Sequence, residues 1–290
     1  MNSGVGRLDS QDINYENESR PKKRKRKLKR NKNFKRLITW IKFILISVLA
    51  ITTVILLALS PLFNISAITV EGSIHYSNDE IKSSTGIVVG NNGFKTIGSN
   101  VKNILTLRYG EAEKAILKNH PYIKSAIVSF YVPNKVKVKI TERKPFAVIE
   151  FKNTNLIIDE ETFVLEETNS KKIKGIPLIK GLKFESFKVG QALDIKNKLN
   201  FSDAVKLIDE IKASDSKGDP KLFDLITSID AANRNKVSVV VDSRITTNLG
   251  NLYDLNYRIA FLRKIIFEKL SKTDRGFLDM TVENPSFKPQ

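Results

Sequence analysis

Cysteine is absent from this chain, and histidine occurs only as His75 and His120. With no thiol there is neither a disulfide nor a thiolate zinc site, so any folded part must hold itself together by packing alone. Two isolated histidines leave little for acid–base chemistry, and His120, in KNHPY at the close of a helical pattern, reads as a helix-end residue. Gly-x-Ser-x-Gly, His-Glu-x-x-His and P-loop patterns are missing as well. Carboxylates do stand in adjacent pairs, Asp159 with Glu160 and Glu166 with Glu167. Neighbours on a strand point to opposite faces, however, and make poor partners for one glycosidic bond. A cell-wall hydrolase or other envelope enzyme is kept only as the alternative reading, and no cofactor or metal is implied.

Negative charge is the scarcer sign, with 31 Asp and Glu against 49 Lys and Arg, a net +18. Residues 1–42 hold 14 basic and 4 acidic groups, so more than half of the excess lies in the first seventh of the chain. Its centre is PKKRKRKLKR at 21–30, which in isolation resembles a nuclear import signal or a nucleic-acid arm. The apolar run next to it excludes that reading. From Phe43 to Val70 there is no charged residue. About 20 apolar residues at 1.5 Å each span a bilayer core of about 30 Å, which predicts a transmembrane helix over 43–63. A cleaved signal peptide is disfavoured by the long preceding segment and by a run exceeding the h-region of about 7–15 residues.

Lys35, Arg36 and Lys42 flank the apolar run on one side, and Glu71, Asp79 and Glu80 on the other. The positive-inside rule puts the N-terminus in the cytoplasm and residues after about 64 outside. The basic run then becomes a juxtamembrane segment drawn to anionic lipid, and no nucleic acid is expected. Residues 1–20, poor in apolar groups, read as disordered.

The exterior portion divides in two. In the first part ISAITVEG reads as a strand, Ser77 with Glu80 forms a capping box for a helix from Asn78 to near Gly86, and Val101 to Ile116 suggests a longer helix that Gly110 interrupts. Two strands, 123–131 and 135–142, meet at Pro133-Asn134 as a hairpin. In KVKVKITE, Val136, Val138 and Ile140 point to a core, while Lys135, Lys137 and Lys139 point to solvent. The order is β-α-α-β-β. In the second part AVIEF, NLIIDEETFVLEE and GIPLIKG read as strands, and LNFSDAVKLIDEIK as an amphipathic helix. The strands FDLITSID and KVSVVVD come next, then ITTNLGN leading into a long helix with apolar positions from Leu252 to Leu270, and finally FLDMTV.

The basic tail, the single apolar helix, ITVEG, EIKSSTGI with GNNGF, and HPYIKSAIVSFYVPNKVKVKITERKPFAVI together resemble the FtsQ/DivIB family of bacterial cell-division proteins. Pro121, Pro133, Asn134, Glu142, Arg143 and Pro145 match its pattern in order and spacing, and TNLGNLYDLNYRIAFL and GFLDMTV match it further on. Arg258 stands where a lysine is usual in the family, and Thr281 where a basic residue is common. The resemblance implies an α+β chain with a single N-terminal transmembrane helix, a β-α-α-β-β POTRA-like domain, and then a mixed sheet domain with two helices. The corresponding boundaries are 1–42 for the cytoplasmic tail, 43–63 for the helix, 64–145 and 146–282 for the two exterior domains, and 283–290 for a flexible tail.

The resemblance further implies a scaffold at the division septum rather than an enzyme. Its partners would be FtsL-like and FtsB/DivIC-like bitopic proteins, and through them the septal peptidoglycan synthase machinery. In the family one partner adds a strand to the last strand of the second domain, a β-augmentation in which backbone groups give affinity. Carried over, this names Phe277, Leu278, Asp279, Met280, Thr281 and Val282 as the docking edge, with Asp279 and Thr281 on one face and Leu278, Met280 and Val282 on the other, and Arg258 close by. An outer-membrane assembly protein, with tandem POTRA units and a barrel, does not match the single unit behind one apolar helix.

Overall fold

The structure, a computed structural model, describes residues 21–170, 173–216, 218–282 and 285–290, with side chains described from residue 33 onward. The expectation of disorder in residues 1–20, and the side chains of the basic run 21–30, lie outside the described residues. Helix α1 (Pro21–Ala58) contains a stretch, Asn33–Ala58, long and apolar enough to cross a membrane. Apolar side chains from Leu37 to Leu57 are exposed all round the helix, as a lipid-facing helix requires. Thr39, Thr52 and Thr53 donate their hydroxyls to the carbonyls of Lys35, Val48 and Leu49, one turn back, which satisfies these polar groups without water. The helix stops at Ala58 rather than at Phe63. Pro61 lacks an N–H and disfavours helical geometry at Ser60, so the chain turns there and continues as a 3-10 turn, Pro61–Phe63.

Residues 61–290 form one compact unit. Its first part is a three-stranded sheet of β1 (Ala67–Glu71), β2 (Ile123–Tyr131) and β3 (Lys135–Glu142), in the order β1-β3-β2. The predicted hairpin is present, and β1 joins β3 in parallel. Val136 and Val138 are fully buried, Lys135 and Lys139 are exposed, and Lys137 lies 2.8 Å from the Glu71 carboxylate across the sheet. Helix α2 (Asn78–Ser84) starts where the capping box put it, with the Ser77 side chain accepting from the Glu80 N–H.

A short helix that the sequence did not suggest, α3 (Gly93–Thr96), comes next, and the second predicted helix is two, α4 (Val101–Thr106) and α5 (Gly110–Asn119). The break falls at 107–109, one residue before Gly110. Leu107 adopts φ 52°, Phe130 donates to its carbonyl, and the Tyr109 N–H donates to Val128. The segment therefore covers the free edge of β2, and pairing across space outweighs helix continuation. Glu113 locks it there, accepting from Arg108 Nε and Nη2 and from the Val128 N–H.

The second part is a nine-stranded sheet, ordered β12-β11-β10-β9-β8-β7-β4-β5-β6. Its strands are β4 (Ala147–Phe151), β5 (Thr154–Ile158), β6 (Val164–Thr168), β7 (Leu178–Lys180), β8 (Ile226–Asp230), β9 (Val237–Val241), β10 (Ile245–Gly250), β11 (Gly276–Asp279) and β12 (Ser286–Pro289). Helices α6 (Lys198–Asp215) and α7 (Leu255–Lys264) pack against it, burying Leu207, Ile208, Ile211, Ile259 and Leu262. The mixed sheet with two helices is thus as expected, with three corrections. ITTNLG is itself a strand, β10. The long helix begins at Leu255, behind Asp254 with φ 45°, and gives way at Ile265–Lys269 to a wider π turn. The tail 283–290 carries β12, so the sheet continues past residue 282.

Ile116 sits fully buried beneath the three-stranded sheet. Ile116→Ala is expected to lower unfolding free energy by about 2–5 kcal/mol, and Lys139→Ala by less than about 0.5 kcal/mol. Denaturant titration of the purified chain measures both.

Candidate docking site

Two places stand out, the joint between the sheets and the C-terminal edge. At the joint, Arg143 Nη1 lies 2.6 Å from Asp159 and 3.0 Å from Glu161. Its guanidinium also stacks over the Phe163 ring at 3.8 Å. The other Asp159 oxygen accepts the N–H groups of Glu161 and Phe163. Lys124, on β2, reaches Glu161 at 2.6 Å, and these two cations hold the Glu161 carboxyl below its ordinary range. Beside the ions Tyr122, Val148, Ile157, Leu165 and Leu178 form an apolar seam. Glu142, the residue before Arg143, accepts from the Ser73 hydroxyl and from the N–H groups of Ile74 and His75. Glu142 and Arg143 are therefore structural clamps, one tying the loop after β1 and the other tying the second sheet.

At the C-terminal edge β11 runs parallel to β10, and β12 runs antiparallel on its other side. The docking edge inferred from the sequence is thus already paired. Gly276 faces Pro289, Phe277 faces Lys288, Leu278 faces Phe287 and Asp279 faces Ser286. Gly276 permits this approach, because a Cβ there would lie 2.2 Å from the Lys288 carbonyl oxygen. Leu278 and Met280 point into the main core, whereas Phe277, Thr281 and Val282 are exposed. Val282 leaves the face it was expected to share with Leu278 and Met280, since the strand ends at Asp279. The Asp279 carboxylate accepts from the Thr281 N–H at 3.0 Å and from its hydroxyl at 2.7 Å, which ends the strand and lowers the Asp279 pKa.

Arg258 is brought to the same end of the sheet, donating Nη1 to the carbonyls of Leu249 and Asn251. Between it and β11 lies Gly250, where a Cβ would come 2.9 Å from Thr281 Cγ2 and 3.4 Å from Arg258 Nη1. The seven residues named from the sequence therefore gather in one region, but Leu278 and Met280 serve the core and Arg258 holds backbone carbonyls. Sequence reasoning missed Phe287 and Lys288. The alternation in Ser-Phe-Lys after the turn signal Asn-Pro was the available clue.

The family description "POTRA domain, FtsQ-type" matches residues 63–143, which hold the three-stranded sheet and its helices. A cell division protein DivIB of Clostridium botulinum (strain Hall) is 26% identical over 253 residues, covering 85% of this chain and 90% of its own. This chain belongs to the FtsQ/DivIB family. The Clostridium acetobutylicum DivIB is 26% identical over 233 residues, covering 79% of this chain and 84% of its own. The Staphylococcus aureus (strain NCTC 8325) DivIB shares 29% over 126 residues, covering 43% of this chain and 26% of its own. A role in cell division is thereby established for this FtsQ/DivIB member, as is participation in protein contacts of the division complex.

Removing Arg143 leaves the buried Asp159 carboxylate without its cation, so Arg143→Ala is expected to cost about 3 kcal/mol in denaturant titration. Asp279 has a folded pKa below its unfolded value, so its contribution is complete above the ordinary carboxylate range, about pH 4. It is lost as pH falls through the folded value. The stability gap between the parent chain and Asp279→Ala should therefore shrink on acidification from neutral to below that range.

Proposed function

We propose that this chain is a membrane-tethered docking scaffold of the division septum, displaying its two sheets on the extracytoplasmic side. The observation that carries this reading is the FtsQ-type POTRA match beginning at residue 63, directly after a helix apolar enough to cross a membrane. Lys35, Arg36 and Lys42 before the apolar core favour a cytoplasmic N-terminus, and the basic run ahead of them suits anionic lipid. The partners are FtsL-like and FtsB/DivIC-like bitopic proteins, and through them the chain regulates septal peptidoglycan synthesis. Docking takes place at the C-terminal end of the nine-stranded sheet, around Phe277, Asp279, Thr281, Val282 and Arg258, by strand pairing. The role is to hold partners, with catalysis left to the synthase machinery.

Because the chain has no cysteine, single engineered thiols report orientation cleanly. A membrane-impermeant maleimide on intact cells is expected to label Lys139→Cys, and to label Ser3→Cys only after lysis. The reverse pattern would overturn the orientation and with it the scaffold. Photo-crosslinking from residue 277 or 282 in living cells should capture a bitopic division protein. Incubating the purified chain with peptidoglycan should release no soluble fragments.

A further inference from the structure

We propose that the end of the POTRA domain at which the chain enters it is a lipid-contact surface, seated in the extracytoplasmic interface of the bilayer that α1 crosses. This rests on the membrane-tethered reading of α1 and goes beyond it, because a tether alone leaves the domain free in water.

Three stretches of chain meet at that end. The starts of β1 and β3 and the finish of β2 lie side by side, with Ala67 paired to Lys135 and Lys135 to Tyr131. Ser66 donates both its N–H and its hydroxyl to the Asn134 carbonyl, which fixes the hairpin turn beside the entering segment. The loop after α2 is fixed there too, since Gly90 donates to the Ile65 carbonyl at 2.7 Å and Ile65 donates to that of Asn91 at 2.9 Å. Phe63 packs edge-on against Phe94, and Phe94 against Phe130, with ring centroids 5.1 Å apart in each pair. Leu107, which closes α4, accepts from the Phe130 N–H and brings the last turn of that helix to the same place.

What these stretches expose is apolar. Leu62, Val88, Val89, Leu105, Tyr131 and Val132 are each 52–80% exposed, although backbone hydrogen bonds hold their loops in place. Single exposed apolar residues need no explanation, but a group drawn from three separate stretches onto one end of a small domain forms a patch. Charge is distributed just as selectively. Residues 61–67, 86–107 and 131–135 contain no Asp or Glu, whereas Lys95, Lys102 and Lys135 lie in them, all exposed. Aliphatic side chains and a tyrosine, accompanied by lysines and without carboxylates, have the composition of a surface that meets anionic lipid. The lysine stems can lie along the acyl chains with their ammonium groups at the phosphates.

Chain length puts the bilayer within reach. Leu62 stands four residues beyond Ala58, the last residue of α1, a span of at most about 14 Å even when fully extended. The opposite end of the three-stranded sheet is already taken, for there the Arg143 ions and the Tyr122 seam join it to the second sheet. Seating the free end in lipid holds both sheets, which are one compact unit, at a set distance from the membrane.

A depth measurement tests this. Because the chain has no cysteine, one thiol at a time can carry a small polarity-sensitive fluorophore, at Val89→Cys, Val132→Cys, Ile51→Cys within α1, or Lys144→Cys at the opposite end of the sheet. The full chain is reconstituted in vesicles of phosphatidylcholine and phosphatidylglycerol, some containing lipid with a nitroxide just below the headgroup and others lipid with a nitroxide near the acyl terminus. The shallow nitroxide is expected to quench Val89→Cys and Val132→Cys at least about threefold more than Lys144→Cys. Adding Val88→Glu and Val132→Glu, both at exposed positions and checked by circular dichroism for an intact fold, should bring Val89→Cys down to the Lys144→Cys level; undiminished quenching would overturn the proposal. If Val89→Cys and Val132→Cys are quenched no more than Lys144→Cys while the deep nitroxide quenches Ile51→Cys, the lipid-contact surface falls and the membrane span stands. If Ile51→Cys escapes the deep nitroxide as well, the span falls and this proposal with it. Shielding of Val89→Cys in living cells without quenching in vesicles would assign the surface to another protein, and shielding that appears only at high protein-to-lipid ratio would assign it to a second copy; either result overturns the proposal.

Discussion

The pairing of Arg143 with Asp159 makes one body of the two sheets. With no disulfide available, the join between a three-stranded and a nine-stranded sheet depends on one nearly buried ion pair and an apolar seam around Tyr122. Neither charge is left uncompensated. Asp159 receives two backbone N–H groups besides the guanidinium, and Arg143 finds Glu161 and the Phe163 ring. The pair is placed by sequence continuity: Arg143 comes directly after β3, and Pro145 cannot donate to a ladder, so the chain must leave one sheet and begin the other.

From that joint the nine-stranded sheet runs outward to the C-terminal edge, where docking is proposed. A scaffold, the role proposed for this chain, needs no reactive centre. It needs backbone groups held in a fixed line and a core stiff enough to keep them there. Leu278 within β11 and Met280 just after it do the second task, while Phe277 and Asp279 do the first.

Much of this was readable in the chain. The β2–β3 hairpin was plain because Val136, Val138 and Ile140 alternate sharply with lysines, and α2 because Ser77 and Glu80 form a local cap. Failures arose where a distant contact decides the outcome. Residues 107–109 leave the helix to cover β2, a reason invisible to periodicity. Strand β10 was obscured because Thr247 and Asn248, both buried, break the apolar pattern. Strand β12, with Pro285 and Pro289 about it, reads as loop, and only the waiting edge of β11 makes it a strand. The end of α1 was a different kind of miss, since Ser60-Pro61 already signalled the stop.

Pro285 and Pro289, which have no N–H to offer, stand at either end of β12 and bear on how copies of this chain behave at high local concentration. An open edge repeated on many identical molecules is a template for runaway stacking, each copy lending its row of amides to the next. Pro285 and Pro289 deny that row its regularity, so the molecules can be concentrated without zipping into fibres.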